Sequence, residues 1–171
     1  MRVAVLTVSD TRTAATDEGG RLITSLCEGA GLALLPGTIL RDEPAQVAAH
    51  VTALVAEERP DAILITGGTG ISRRDTTVEA LAARFDKTLD GFGELFRMLS
   101  FSEVGPAAML SRATAGTMGR TVIFLMPGSP KAVALAMSRL ILPVLGHLVA
   151  QLADVPDGKH DEQSGRPHRQ P

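Results

Sequence analysis

Three continuous apolar runs organise the chain: Val3 to Val8, Ala62 to Ile65 and Thr121 to Met126. Short runs without polar alternation predict strands buried on both faces, as in a parallel sheet covered by helices. Between them the apolar positions change to a helical period. Leu22, Ile23, Leu26 and Ala30 share one face of Gly19 to Ala30, and Gly31 follows as a stop. Val47, Val51, Leu54 and Val55 do the same after Arg41-Asp42-Glu43-Pro44, where Asp42 or Glu43 can cap and Pro44 suits the first turn. Leu32 to Leu40 predicts a strand interrupted at Pro36-Gly37. Thr76 and Glu79 form a capping-box pair, which predicts a short helix over Val78 to Phe85. Asp86 to Asp90 predicts an extended piece. Glu94 opens a helix expected to turn Leu95, Met98 and Leu99 inward. Phe101 to Pro106 reads as a turn region, and Ala113 to Met118 as a strand before the turn signal Gly119-Arg120. A long helix is predicted from Lys131, broken or kinked at Pro143. The expected architecture is one α/β domain over residues 1–153, followed by a polar, disordered tail over 154–171 that holds His160 and His168.

Composition narrows the function classes. The 171 residues suit one domain, and a chain of this size buries about 70% of its unfolded surface. Seventeen basic and nineteen acidic residues leave a net charge of −2, which argues against a general nucleic-acid binder. Aromatic residues make up 3%, without Trp or Tyr, so base-stacking platforms are not expected. Cys27, the single cysteine, excludes an internal disulfide and fits a reducing cytosol. It falls within a helical pattern and reads as a small buried apolar residue. No apolar run approaches the ~18 residues needed to span a bilayer, and the N-terminus carries no signal-peptide cleavage pattern. A cytoplasmic protein without nucleic-acid or membrane partners is expected.

The second run leads into Thr66-Gly67-Gly68-Thr69-Gly70, three glycines in four positions. Glycine allows positive φ and removes side chains, so successive backbone N–H groups can converge on an anion. The helix that follows adds partial positive charge at its N-terminus. Asp75 would repel a phosphate here, and a divalent cation between them removes the conflict; Mg²⁺ is held by one or two carboxylates plus phosphates. The alternative is a tight βα turn with an exposed Asp75. Asp10 and Asp42 are placed on the same sheet edge, Asp10 beyond the first strand and Asp42 before a helix that it can simply cap. Arg73, Arg74, Arg112 and Lys131 are available to offset anionic charge, or are ordinary solvated cations. Arg73 stands where a dinucleotide fingerprint needs its third glycine, and no Walker lysine, nucleophile elbow or metal-spaced His/Cys set occurs. The inventory suits phosphoryl or nucleotidyl transfer, which is largely positioning and charge neutralisation.

Four ordered motifs extend this reading. They are Thr66 to Gly70 with Arg74-Asp75-x-Thr77-x-Glu79-Ala80; Gly91-Phe92-Gly93-Glu94; Ser111-Arg112-Ala113; and Pro127-Gly128-Ser129-Pro130. Together they resemble the molybdopterin adenylyltransferase family (MogA/MoaB type), from about Arg2 to Leu148. The segment Phe96 to Phe101, with Glu103 and Gly105, is similar to its B-type branch. The resemblance implies a three-layer α/β/α domain with a mostly parallel sheet, assembled into homotrimers or homohexamers. It implies adenylylation of molybdopterin by Mg·ATP with release of pyrophosphate. By position, Asp42 and Asp75 would hold Mg²⁺ and orient the phosphates. Gly67, Gly68, Thr69 and Gly70 would cradle phosphate. Gly91, Phe92, Gly93 and Glu94 with Ser111 and Arg112 would line the pterin side. Ser9 and Asp10 with Pro127, Gly128, Ser129 and Pro130 would border the nucleotide pocket. Val78 stands where the family usually has Pro. Two other readings stay open: a non-catalytic pterin-binding or carrier oligomer of the same pathway, and a different nucleotide-binding α/β protein.

Overall fold

A computed structural model describes residues 1–153, and the expected tail over 154–171 lies outside the described residues. Seven strands form one sheet: β1 (Arg2–Val8), β2 (Ala33–Leu34), β3 (Thr38–Leu40), β4 (Ala62–Thr66), β5 (Lys87–Thr88), β6 (Thr114–Met118) and β7 (Thr121–Met126). The order is β2-β1-β4-β7-β6-β5, and β3 also pairs with β1. Pairings from β2 to β7 are parallel, while β6 runs antiparallel to β7 and to β5.

The three apolar runs are the central strands, and their alternation builds two cores. Val3, Val5, Leu64, Phe124 and Met126 face one side with Ile23, Phe96, Val133 and Ile141. Ala4, Leu6, Ile63, Ile65, Ile123 and Leu125 face the other with Val47, Val51 and Leu81. The first side carries α1 (Glu18–Gly29), α4 (Asp90–Val104) and the helix that begins as α5 (Pro130–Ala136). The second carries α2 (Pro44–Ala53) and α3 (Thr77–Ala82). The result is the expected three-layer α/β/α domain.

Several local expectations change. The helix expected from Glu94 begins at Asp90 and runs through the anticipated turn to Val104, followed by a 3-10 segment Gly105–Leu110. Phe92, Gly93, Phe96 and Ser100 are its buried face, Leu99 is partly buried, and Leu95 and Met98 are exposed. A Cβ on Gly93 would crowd the Ala113 carbonyl, so this glycine lets the helix approach the sheet and sets the inward face. Phe92 then meets Phe124 edge-on at 5.1 Å.

Pro143 does not break its helix. A π-type segment, Met137–Ile141, precedes it, and α6 (Leu142–Ala153) continues the helical path. The wider turn accommodates a proline that can neither donate a backbone hydrogen bond nor tolerate the tighter ring. By length and composition the stretch Pro130–Ala153 is apolar enough to cross a membrane, contrary to the count of uninterrupted apolar residues. Lys131, Ser138 and Arg139 interrupt that count without removing the stretch's apolar character. Its Val133, Ala136, Met137, Ile141 and Leu145 are buried in the first core.

Candidate functional site

Parallel register brings three strand ends together, since Thr7 pairs with Thr66 and Thr66 with Met126. Beyond these positions β1 releases Ser9-Asp10, β4 the glycine loop, and β7 Pro127-Gly128-Ser129. Carboxyl ends of parallel strands are where ligands bind in open α/β sheets. A cavity of about 470 Å³ lies there, lined by Ser9, Asp10, Asp42, Asp75, Gly67, Gly68, Gly128 and Ser129 among others. A hollow of about 310 Å³ adjoins it, lined by Thr69, Gly70, Ser111 and Pro127 together with Gly68, Asp75 and Gly128. Those last three residues border both spaces. Pro130 lines neither and begins α5, whose N-cap Ser129 accepts a hydrogen bond from the Ala132 amide at 3.3 Å.

Two loop glycines are required by geometry. Gly67 and Gly68 have φ of 102° and 64°. A Cβ would strike the Val8 carbonyl at Gly67 and the Thr77 hydroxyl at Gly68. The expected cradle is shorter than four residues, because the Gly67 amide donates to Met126 O at 3.0 Å and ties the loop to β7. The amides of Gly68, Thr69 and Gly70 donate to no protein acceptor among the described residues.

Asp42 and Asp75 meet at the same cavity from different elements. Asp42 is 7% exposed. Its Oδ1 accepts hydrogen bonds from the Thr76 amide (3.2 Å) and hydroxyl (2.9 Å). It therefore secures the start of α3, not the helix that follows it in sequence. The N-cap of α2 is Glu43, with no side-chain capping bond. Thr76 is engaged by Asp42 and Glu79 by Arg112, so the predicted capping box between Thr76 and Glu79 does not form. Asp75 Oδ2 accepts from the Ser72 amide at 2.8 Å. Asp42 Oδ2 and Asp75 Oδ1 have no hydrogen-bond donor among the described residues.

Asp10 differs. Arg74 donates to both its carboxylate oxygens at 2.9 Å, and Arg41 lies 3.5 Å away. The hydrogen bond from Arg74, reinforced by its charge, holds the Asp10 carboxyl below the usual aspartate range. Arg74 also reaches Glu43 at 3.2 Å. Asp17, directly ahead of α1, is another member of the cavity wall. It caps α1 through the Gly20 amide at 2.9 Å and accepts the Thr7 hydroxyl at 2.7 Å. An aspartate directly ahead of Glu18-Gly19-Gly20 and a helical pattern was the available N-cap signal.

The remaining site residues distribute unevenly. Arg112 donates from Nε to Gly70 O and from Nη2 to Asp75 O, both at 2.7 Å, and pairs with Glu79 through Nη1. Gly91, Phe92, Gly93 and Glu94 lie on α4, where Phe92 belongs to the core and Gly91 and Glu94 are exposed. They border neither cavity.

The donor set bears on magnesium. Two carboxylates each present an open oxygen, and oxygen is what this cation takes. No group of three or more His, Cys, Asp or Glu suited to a metal occurs among the described residues. The residues thus fit an ion that arrives with phosphates and keeps them as ligands, instead of one caged by protein alone.

Residues 4–147 match the family described as a probable molybdopterin-binding domain. Molybdenum cofactor biosynthesis protein B of Bacillus cereus is 48% identical over 153 residues, covering 89% of this chain and 90% of that protein. A crystal structure of molybdenum cofactor biosynthesis protein B, 48% identical, superimposes with a TM-score of 0.86 over 89% of this chain and 95% of its own. The molybdopterin biosynthesis enzyme MoaB from Thermus thermophilus is 34% identical with a TM-score of 0.78, covering 91% of this chain and 98% of its own. By sequence and by fold, the chain belongs to the molybdopterin-binding domain family of molybdenum cofactor biosynthesis proteins.

Proposed function

We propose that this chain transfers the adenylyl group of ATP to the terminal phosphate of molybdopterin, with magnesium, giving adenylyl-molybdopterin and pyrophosphate. The observation that carries the reading is the open carboxylate oxygens of Asp42 and Asp75 beside the open amides of the Gly68 to Gly70 loop. One oxygen of the pterin phosphate bonds to the α-phosphorus. The bond from that phosphorus to the bridging oxygen breaks, and pyrophosphate leaves with the electron pair. The attacking phosphate is already ionised near neutral pH, so the site needs no general base. Magnesium, when bound, neutralises charge between the carboxylates and the phosphates. The loop amides donate to phosphate oxygens and, being fixed by the fold, need little reorganisation as charge moves. Gly68, Asp75 and Gly128 separate the larger cavity from the smaller hollow. A nucleotide in the first and a pterin in the second, beside Ser111, would present their phosphates to one shared wall. The exposed stripe of Leu95, Met98, Phe101 and Val104 on α4, with Met109 beyond it, supports the expected homotrimer or homohexamer.

The carrier reading draws on a different observation: Asp42 is tied to Thr76 by two hydrogen bonds and so has structural work without turnover. Incubating the protein with molybdopterin, ATP and Mg²⁺ separates the two. Pyrophosphate release with an adenylylated pterin supports the transferase. Tight pterin binding without pyrophosphate supports the carrier.

A further inference from the structure

We infer that Arg112 is a positioning residue for Asp75, clasping both ends of loop 70–75 instead of touching a ligand. The loop folds on itself through the Ser72 amide, which donates to Asp75 Oδ2 at 2.8 Å, and the Asp75 amide, which donates to Ser72 O at 3.1 Å. Ile71, Ser72, Arg73 and Arg74 between its ends are exposed, and Ile71 is 69% exposed. Arg74, in its middle, holds both Asp10 carboxylate oxygens at 2.9 Å and reaches Glu43 at 3.2 Å, contacts that do not join the loop's two ends. Arg112 supplies what those contacts lack. Its Nε and Nη2 reach the carbonyls of Gly70 and Asp75, each at 2.7 Å, and its own amide donates to Thr69 O at 3.1 Å. Glu79, on α3, pairs with the remaining edge of the guanidinium and fixes its plane. The same contact holds the Glu79 carboxyl below the usual glutamate range.

A planar fork with rigidly spaced donors can bridge two carbonyls, whereas a lysine ammonium donates from a single point. A guanidinium with partners on all three nitrogens has few donors left for phosphate or pterin. Arg112 therefore acts on the reaction through Asp75. Only this consequence rests on the proposed function; the clasp itself is a statement about the loop.

The test compares the full chain with Arg112→Ala, Arg112→Lys and Glu79→Gln. Three quantities are measured: backbone amide exchange over 71–76, affinity for ATP with Mn²⁺ as a spectroscopic probe, and affinity for molybdopterin. Arg112→Ala is expected to speed exchange in the loop and to weaken Mn·ATP binding by about 10-fold or more, the scale of lost outer-shell support. Pterin affinity should fall less than Mn·ATP affinity, because only Gly70 and Asp75 of the hollow's lining belong to the clasped loop. Arg112→Lys should recover less than half of the loss, added guanidinium should restore part of it in Arg112→Ala, and Glu79→Gln should give a smaller change of the same sign. Loss of pterin affinity with unchanged loop exchange and Mn·ATP binding would overturn the inference. Should Arg112→Ala fail to fold, unchanged exchange over 71–76 in both other variants would overturn it equally. If the unmodified chain fails to bind Mn·ATP, the transferase reading falls, while the exchange data still decide the clasp.

Discussion

The two ends of the sheet carry cavities of nearly equal size, about 470 Å³ at the carboxyl end and about 430 Å³ at the amino end. The first is lined by two arginines and four aspartates, the second by two arginines and one aspartate. At the amino end most polar groups answer one another, although the Arg59 guanidinium and Asp61 Oδ1 have no hydrogen-bond partner among the described residues. Arg2 reaches Glu58 and its amide donates to Asp61, the Thr121 hydroxyl donates to Pro60 O, and Arg120 donates to Ala153 O. At the carboxyl end two carboxylate oxygens and three consecutive loop amides are left open among the described residues. Successive open amides beside carboxylates can take an anion together with its cation, so their concentration at one end points to a ligand. Volume alone does not separate the two ends; a run of open loop amides beside carboxylates does.

The largest expected effect separates them by turnover. Asp75→Asn keeps the shape and removes the charge, and pyrophosphate release should fall by about 100-fold or more, since charge neutralisation is the main contribution sought from this group. Arg120→Ala at the other end should change turnover by less than about twofold, because a surface substitution away from the site rarely matters. Comparable losses in both variants would erase the distinction.

Next comes a pair of glycines. Gly119 has φ of 57° with nothing within 4 Å of an added Cβ, so Gly119→Ala should lose only about 1–2 kcal/mol from the left-handed backbone. Gly68 has φ of 64°, and a Cβ there must also displace the Thr77 and Asp42 side chains. Gly68→Ala should lose about 3 kcal/mol or more in denaturant unfolding and should weaken nucleotide binding. Equal losses would show that the loop has room to relax.

The smallest effect concerns Asp10. Its carboxyl is held below 3.8 mainly by the hydrogen bond from Arg74. A lowered native value stabilises the fold above the unfolded value, and the contribution disappears as pH falls through the native one. The pairing is therefore complete at neutral pH and is lost only below 3.8. Carboxyl NMR should place the Asp10 midpoint under that value, and Arg74→Ala should raise it.

The central strands were legible because β1, β4 and β7 are buried on both faces, so their residues form unbroken apolar runs. The glycine loop and Asp75 were legible for a related reason: they follow such a strand directly. Side-chain partnerships were not. Asp42 looks like a cap for the helix next to it in sequence, yet it secures α3, 34 positions on at Thr76. Glu79 suits a capping box locally, but Arg112 offers it a charged partner. On α4 the glycines at 91 and 93 conceal a helix start, and Phe92 and Phe96 turn inward on the face that Gly93 lets approach the Ala113 carbonyl.

The most direct test is paramagnetic broadening of backbone amides by Mn²⁺ with a non-hydrolysable ATP analogue. Signals of Gly68, Thr69, Gly70, Asp75 and Gly128 should broaden first, while those of Arg59, Gly119 and Arg120 persist. Broadening centred on Gly119 and Arg120, or no broadening near the glycine loop at saturating analogue, would contradict the account.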